Sequence, residues 1–306
     1  MTHPKISVII PNYCHAPYLD ERIQSILRQT RQDFELIILD DCSPDNGASH
    51  NIIEKYRDNP HVTHIVYNEK NSGSTFLQWQ KGFALARGEY IWIAESDDKC
   101  EPTLLEELAD ALDHNVKLSV AFCRSVAFCE DRVIGPIGSK KLKEGGMPGK
   151  EFIHDFMRSG TGIVNASSAI FRKSALKGIR PVYTTMRGSG DRLFWTEMAE
   201  QGDVAFVEKP LNLFRTHTNN STKKFGATGV NQREDKVILD YILSKGYITP
   251  KEYEQCRKQY VRVHIFEMIT DPALKQELYH VWEWNRWQQF KLRLEAWGRK
   301  IRKRTC

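Results

Sequence analysis

The sequence predicts an α/β protein: a mostly parallel central sheet flanked by helices, with a C-terminal helical extension. Strand and helix signals alternate through the first 125 residues, the order that sets parallel strands between crossover helices. The strand segments are continuous apolar runs, as befits strands covered on both faces. Beyond residue 220 the strand signals stop and helical spacing runs to the end.

Residues 5–11 (KISVIIP) form an apolar run closed by Pro11, a buried strand. Residues 17–29 place Leu19, Ile23, Ile26 and Leu27 at helical spacing. The second strand, 34–39, stops at Asp40-Asp41, and a turn at 42–47 leads to a helix near 48–57. Residues 62–67 read as the third strand and 68–74 as a polar, Gly-containing loop. A helix over 75–87 is closed by Gly88, read as a helix-terminating residue. The fourth strand spans 89–94, a helix with Pro102 near its start spans 102–113, and the fifth strand spans 117–122. Residues 126–150 form a variable strand-and-loop region rich in Gly and Lys. A strand over 162–172, a helix over 191–201 and a short strand over 204–207 follow. Helices near 230–245, 250–269 and 272–302 complete the chain, punctuated by Gly246, Pro250 and Asp271-Pro272.

Three hundred and six residues suffice for one large domain or two smaller ones. A hydrophobic content of 41% with 27% charged residues is ordinary for a soluble protein. No uncharged apolar stretch reaches eighteen residues, so no transmembrane helix is expected. Residues 1–5 run straight into a strand and do not read as a signal peptide. Seven scattered cysteines without a C-x-x-C pair suggest reduced thiols in a cytoplasmic protein. The net charge of +5 is uneven: residues 279–306 hold eight Lys/Arg against two acids, which leaves residues 1–278 at −1. The basic balance therefore says nothing about nucleic acid binding by the main domain, and no nucleic acid partner is expected.

Open α/β sheets bind ligands at the carboxyl ends of their strands. Pro11, Asp40-Asp41 and Asp97-Asp98 all fall at such ends. The segment Glu95-Ser96-Asp97-Asp98 is the most telling. Adjacent carboxylates at the end of a buried strand repel one another, and a divalent cation removes that cost. Their hard oxygens suit Mg²⁺ or Mn²⁺ shared with substrate phosphates. Taken alone, such a pair also serves as an ordinary turn or helix cap.

The motifs Ser7-Val8-Ile9-Ile10-Pro11-Asn12-Tyr13, Ser25-Ile26-Leu27-Arg28-Gln29-Thr30, the run from Asp33 to Ser43, Asn71-Ser72-Gly73, Ala86-Arg87-Gly88-Glu89-Tyr90-Ile91, Glu95-Ser96-Asp97-Asp98, Gly190-Asp191-Arg192-Leu193-Phe194-Trp195 and Phe214-Arg215-Thr216-His217 follow one another along the chain. In that order they resemble family 2 glycosyltransferases. The resemblance covers about 1–220. It implies a GT-A (Rossmann-like nucleotide-diphospho-sugar transferase) catalytic domain over 1–220, with 221–306 as a helical extension. It also implies a nucleotide-sugar donor, a Mn²⁺ or Mg²⁺ cofactor and inversion at the anomeric carbon. The implied work is extension of a cell-envelope polysaccharide from the cytoplasmic side, at a glycan or lipid-linked saccharide acceptor.

By that resemblance Pro11, Asn12 and Tyr13 wrap the nucleobase, with Tyr13 stacking on it. Cys14 stands where the family usually has Asn. The resemblance gives Asp41 the uracil N3–H, favouring a UDP-sugar over a GDP-sugar, and leaves Asp40 open between a cap and a contact. Asn71 and Gly73 precede a helix; they are either a diphosphate-facing loop or an ordinary cap. Asp97 is implied as the ribose contact and Asp98 as the metal ligand, with Glu95 where the family usually has Asp. Asp191, preceded by Gly190 where many relatives have Glu, is implied as the catalytic base that takes the acceptor hydroxyl proton. His217 is implied near the metal, and a polar loop, 219–228, follows as a candidate donor cover.

The tail carries Trp284, Trp287, Phe290, Leu294, Trp297 and Ile301 at spacings of three or four among its basic residues. Two readings stand: a helix docked on the protein with a solvated basic face, or an interfacial helix over 279–304 at an anionic membrane. A dinucleotide-binding oxidoreductase would need G-x-G-x-x-G after the first strand, where Pro11-Asn12-Tyr13-Cys14-His15 stands instead. A nucleotidyltransferase would carry a Gly-rich basic loop there. The remaining alternative is a catalytically silent module that binds nucleotide-sugar or glycan; intact Asp41, Asp98 and Asp191 argue against it.

Overall fold

A computed structural model describes residues 3–302 except 131, 161 and 218–224, with backbone only for 296–302. Residues 219–224 of the proposed donor-covering loop lie outside the described residues. So do the side chains of Trp297, Arg299, Lys300, Ile301 and Arg302, and all of Lys303 and Arg304. The chain forms two compact units, 1–218 and 219–306.

The first unit is built on one sheet. Its strands are β1 (Ile6–Asn12), β2 (Phe34–Asp40), β3 (Val62–Tyr67), β4 (Tyr90–Ile93), β5 (Lys99–Cys100), β6 (Leu118–Cys129), β7 (Arg132–Ile137), β8 (Gly145–Met147), β9 (Ala169–Arg172) and β10 (Asp203–Arg215). The order is β3-β2-β1-β4-β9-β6-β10-β5, with β7 on β6 and β8 on β10. β1, β2, β3 and β4 pair in parallel, as do β6 and β10, whereas β9 runs antiparallel between β4 and β6. Every residue of β1, β2 and β4 is buried, which accounts for their unbroken apolar runs.

Helices α1 (Ala16–Leu27), α2 (Ala48–Glu54), α3 (Thr75–Leu85), α4 (Leu104–His114), α5 (Gly149–Asp155) and α6 (Gly190–Glu200) complete this unit. α4 shows why such segments are helical. Leu104, Leu105, Leu108 and Leu112 fall on one face and are fully buried. Burying each contributes about 1.5–3 kcal/mol.

Several expectations are corrected. Gly88 is not a left-handed cap: among the described glycines its φ is not positive. It is small because a Cβ there would meet Ser7 N at 2.6 Å. The strand expected over 162–172 is confined to β9, because residues 166–168 form a 3₁₀ turn whose side chains are used elsewhere. The strands expected at 117–122 and 204–207 extend to 129 and 215, since β6 and β10 pair across a bulge and continue together.

The second unit holds α7 (Val230–Ser244), α8 (Pro250–Tyr260), a π-helical stretch (Val261–Glu267), α9 (Pro272–Val281) and α10 (Arg286–Arg302). Thr249 and Glu252 close a reciprocal capping box on α8, and Asp271 caps α9. Trp282 is its buried centre, stacked on Tyr260 at 4.3 Å and donating to Gln232 O at 2.9 Å. The helix expected over 272–302 breaks at 282–285, where Glu283 has φ +53°. The break takes Trp284 off the helical stripe and buries it. Trp287, Phe290 and Leu294 stay 61%, 48% and 49% exposed on α10, while Leu292 on another face is buried.

Candidate active site

The carboxyl ends of β1, β2 and β4 lie side by side through the registers Asn12↔Asp40 and Ile9↔Ile93. The backbone then turns sharply twice. Cys14 and Cys42, just beyond β1 and β2, both have φ +58°. L-residues other than Asn, Asp and Gly rarely occupy that region. The Asn that the resemblance leads one to expect at position 14 would suit this backbone, which the sequence alone did not reveal.

Asn12 and Asp40 form the first polar layer. Asn12 Nδ2 donates to Asp40 Oδ1 at 2.7 Å, and Ser43 donates to Asp40 from both Oγ (2.7 Å) and backbone N (3.0 Å). Pro11 is buried at the end of β1, and Tyr13 is exposed beside these groups.

Asp41 is held by a separate set. Its Oδ1 accepts from Asn68 Nδ2 (2.6 Å), Ser72 N (2.9 Å) and Gln78 Nε2 (2.9 Å). Its Oδ2 accepts from Ser72 Oγ at 2.7 Å. Asn71 donates to Asp41 O and accepts from Gly73 N at 2.7 Å, forming a turn in which Gly73 sits at φ +78°. The loop 68–74 thus clamps Asp41 to the start of α3.

The acidic segment after β4 separates into three environments. Glu95 Oε1 accepts from Trp79 Nε1 at 3.0 Å; burial and the neighbouring Asp97 push its carboxyl up to about 8. Asp98 is buried with both oxygens engaged: Oδ1 accepts from Arg215 N (3.0 Å), and Oδ2 from Asn165 Nδ2 (3.0 Å) and Ser167 Oγ (2.7 Å). Burial and Asp97 push it above the usual carboxylate range.

Asp97 differs. Its Oδ2 lies 3.0 Å from His217 Nε2, and its backbone O accepts from Arg215 Nε at 2.7 Å. Burial pushes its carboxyl up, but His217 and His15 more than offset that and hold it below the usual range. Ligand atoms of His15, Asp97 and His217 lie within 4.8 Å of one another. One carboxylate and imidazole nitrogen at this spacing fit a divalent ion such as Mn²⁺. Asp98, expected as the metal ligand, has both oxygens hydrogen-bonded to the segments at 165–167 and 215, and Asp97, expected at the ribose, is the carboxylate that lies near the two imidazoles.

Sequence reasoning missed His15, Asn165, Ser167 and Arg22. The polar run Asn165-Ala166-Ser167-Ser168 inside a supposed strand was the available signal. Arg22 is fully buried, with its guanidinium over the Trp92 ring at 4.7 Å and no hydrogen-bond acceptor for Nε, Nη1 or Nη2 among the described residues. Its charge favours the ionised forms of Glu95 and Asp98.

Asp191 lies in the first turn of α6, where Oδ1 accepts from Arg192 N at 2.7 Å. The helix end is packed against α3: a Cβ on Gly190 would meet the Phe76 ring and Tyr183 O at 2.6 Å each. A side chain at this position, such as the Glu that the resemblance leads one to expect, would require those neighbours to move. Phe194 and Trp195 then pack on Trp79 at 5.6 and 6.5 Å between ring centroids, and Trp79 is the residue that donates to Glu95.

Solved structures share this architecture. S. aureus TarS 1-349 in complex with UDP-GlcNAc superposes with a TM-score of 0.69 at 19% identity, over 90% of this chain and 79% of that one. The mannosyltransferase PcManGT from Pyrobaculum calidifontis, in complex with GDP-Man and Mn²⁺, gives 0.55 at 14% identity, over 92% and 74%. The fold is GT-A, as expected. TuaG of Bacillus subtilis, a glycosyltransferase named for teichuronic acid biosynthesis, is 32% identical over 151 residues, which is 49% of this chain. The chain spans about half of TuaG, 53%. The family model described as Glycosyl transferase family 2 matches residues 7–180, more than half of the sequence, and the chain belongs to that family.

Proposed function

We propose that this protein is a metal-dependent inverting glycosyltransferase that moves a sugar from a nucleotide-diphosphate donor to a hydroxyl of a glycan or lipid-linked saccharide. The observation that carries this reading is the Asp97–His217 pair, held on the same sheet edge as the Asn12–Asp40–Asp41 layer. Asp97 and His217 would hold Mn²⁺ or Mg²⁺, which supplies neutralising charge to the departing diphosphate. Asp98 fixes the loop beneath them.

Pro11, Asn12 and Tyr13 would line the base slot, with exposed Tyr13 available to stack. Asp41 Oδ2 accepts one protein hydrogen bond and keeps a lone pair for a base N–H. A UDP-hexose or UDP-N-acetylhexosamine is the donor we favour, because TarS, of the same fold, binds UDP-GlcNAc. Asn71 and Gly73 shape the loop at the amino end of α3, where backbone amides can face a diphosphate.

Asp191 would act as general base, taking the proton from the acceptor hydroxyl as its oxygen attacks the anomeric carbon. The bond from that carbon to the diphosphate oxygen breaks, and the nucleoside diphosphate leaves with the electron pair. The sugar is inverted in one displacement.

Trp287, Phe290 and Leu294 form an exposed apolar stripe on α10, with Lys291 Nζ 5.2 Å from the Trp287 ring. The basic excess of the tail suits an anionic lipid surface, where a lipid-linked acceptor would be found. No described helix is long and apolar enough to cross a membrane. Co-sedimentation with phosphatidylglycerol vesicles, lost in a Trp287→Ser/Phe290→Ser variant, is the expected result. Equal binding to phosphatidylcholine vesicles would count against it.

The main test is a donor screen that follows UDP or GDP release with Mn²⁺ or Mg²⁺. Asp191→Asn is expected to lower turnover about 10²–10⁴-fold. Full turnover in that variant would remove the mechanism. Tight nucleotide-sugar binding without release by the wild type would instead identify a silent binding module.

A further inference from the structure

We propose that His15 is a third protein ligand to the metal, giving a two-imidazole, one-carboxylate centre that prefers Mn²⁺ or Co²⁺ to Mg²⁺. The inference rests on the reading of Asp97 and His217 as metal ligands and deepens it.

His15 follows the left-handed Cys14 and stands at the amino end of α1. Its backbone O accepts from Tyr18 N and Leu19 N, whereas its side chain makes no cap bond. The ring is therefore not used to start the helix. Nδ1 lies 2.8 Å from Ser96 Oγ, inside the acidic segment itself. Ligation through Nε2 would leave that contact in place. A hydrogen bond to the far ring nitrogen is what fixes the orientation of metal-bound histidines in general.

The two imidazoles are held as a pair. Their ring centroids are 5.7 Å apart, and Tyr18 packs against both, 6.1 Å from His15 and 5.2 Å from His217. Arg215 in turn lies over Tyr18 at 4.7 Å and donates to the backbone O of Asp97. Each ligand thus comes from a different segment: the β1–α1 loop, the loop after β4, and the chain after β10.

The donor set decides the ion. Mg²⁺ demands oxygen ligands and retains its water, so a site with two nitrogens serves it poorly. Affinity for nitrogen donors rises from Mn²⁺ through Co²⁺. A site with three protein ligands also holds its ion before the nucleotide arrives, whereas a site with one carboxylate depends on the diphosphate oxygens.

The experiment titrates the full chain, without nucleotide, with MnCl₂, following loss of the free-ion electron paramagnetic resonance signal. Mg²⁺ is then added as competitor, and electron spin echo modulation reports bound ¹⁴N. The wild type is expected to bind one Mn²⁺ per chain, to resist a tenfold excess of Mg²⁺, and to show two coupled imidazoles. His15→Ala is expected to weaken Mn²⁺ binding at least tenfold, to lose its preference over Mg²⁺, and to show one imidazole, with an unchanged circular dichroism spectrum. Ser96→Ala is expected to weaken Mn²⁺ binding with both imidazoles still coupled. If His15→Ala binds Mn²⁺ as the wild type does while Asp97→Ala does not, the inference fails and the metal reading survives. If Asp97→Ala also binds normally, both fail.

Discussion

The two ends of β1 and β2 carry polar networks of similar size and opposite character. At the amino ends, Glu35 accepts from Ser7 Oγ at 2.7 Å and Arg87 N at 2.7 Å, and pairs with the Arg87 guanidinium at 2.8 Å. A protein cation balances the buried carboxylate there. At the carboxyl ends, Asp40, Asp41, Glu95, Asp97 and Asp98 receive their hydrogen bonds from Asn, Ser, Gln, Trp and His side chains and from backbone N–H groups. Among the described residues, no Lys or Arg side chain forms an ion pair with any of these five. Neutral donors fix the geometry of a carboxylate without cancelling its charge. The amino end is a finished structural joint; at the carboxyl end burial and mutual repulsion raise Glu95 and Asp98, and Asp97 is the carboxylate held in its ionised form, beside two imidazoles.

Changing one residue at a time should break this contrast in graded ways. The largest effect is on chemistry. Asp97→Asn should lower sugar transfer about 10²–10³-fold, by analogy with the loss of one charge-stabilising group, with a smaller loss of stability than Asp98→Ala causes. Steady-state kinetics beside a thermal melt checks both halves, and a melting shift as large as that of Asp98→Ala would make Asp97 structural.

The next is on stability. Asp98→Ala strands the donors of Asn165, Ser167 and Arg215 N, and should cost about 3 kcal/mol in urea denaturation. A cost below about 1 kcal/mol would show that Asp98 does not join these segments.

At the other end of the strands, Glu35→Gln should cost about 2 kcal/mol at pH 7. Burial pushes the Glu35 carboxyl up, but the bonds from Ser7 and Arg87 outweigh it and hold it below the usual range. Its contribution is therefore complete above the ordinary Glu value of about 4.3 and is lost as pH falls through the lower folded-state value. The gap between wild type and Glu35→Gln should close on acidification; a gap that widens would reverse the assignment.

The smallest effect is a gain. Cys14→Asn relieves a left-handed backbone strain and should stabilise the protein by about 0.5–1 kcal/mol, read from the denaturation midpoint.

Much of this edge was legible in the sequence, because local signals specify it. Continuous apolar runs set β1, β2 and β4, and their ends placed Pro11, Asp40-Asp41 and Asp97-Asp98 together. What was not legible depends on partners far along the chain. Asp97 and Asp98 look alike in a four-residue segment, and only donors from 165–167 and 215–217 tell them apart. Gly88 looked like a helix terminator because the neighbour that demands its smallness, Ser7, lies eighty-one residues away. Cys14 hid a left-handed turn because cysteine gives no sign of one. His15 carried no signal at all until His217 and Asp97 were placed beside it.

In the proposed site Asp97, and not its neighbour Asp98, holds the metal. Mn²⁺ binding to purified Asp97→Asn and Asp98→Asn, each with its stability measured, separates the two. Asp97→Asn should stay folded and lose Mn²⁺ binding, while Asp98→Asn should lose more stability and still bind Mn²⁺ in its folded fraction. A stable Asp98→Asn that binds no Mn²⁺, beside an Asp97→Asn that binds it normally, would contradict the account.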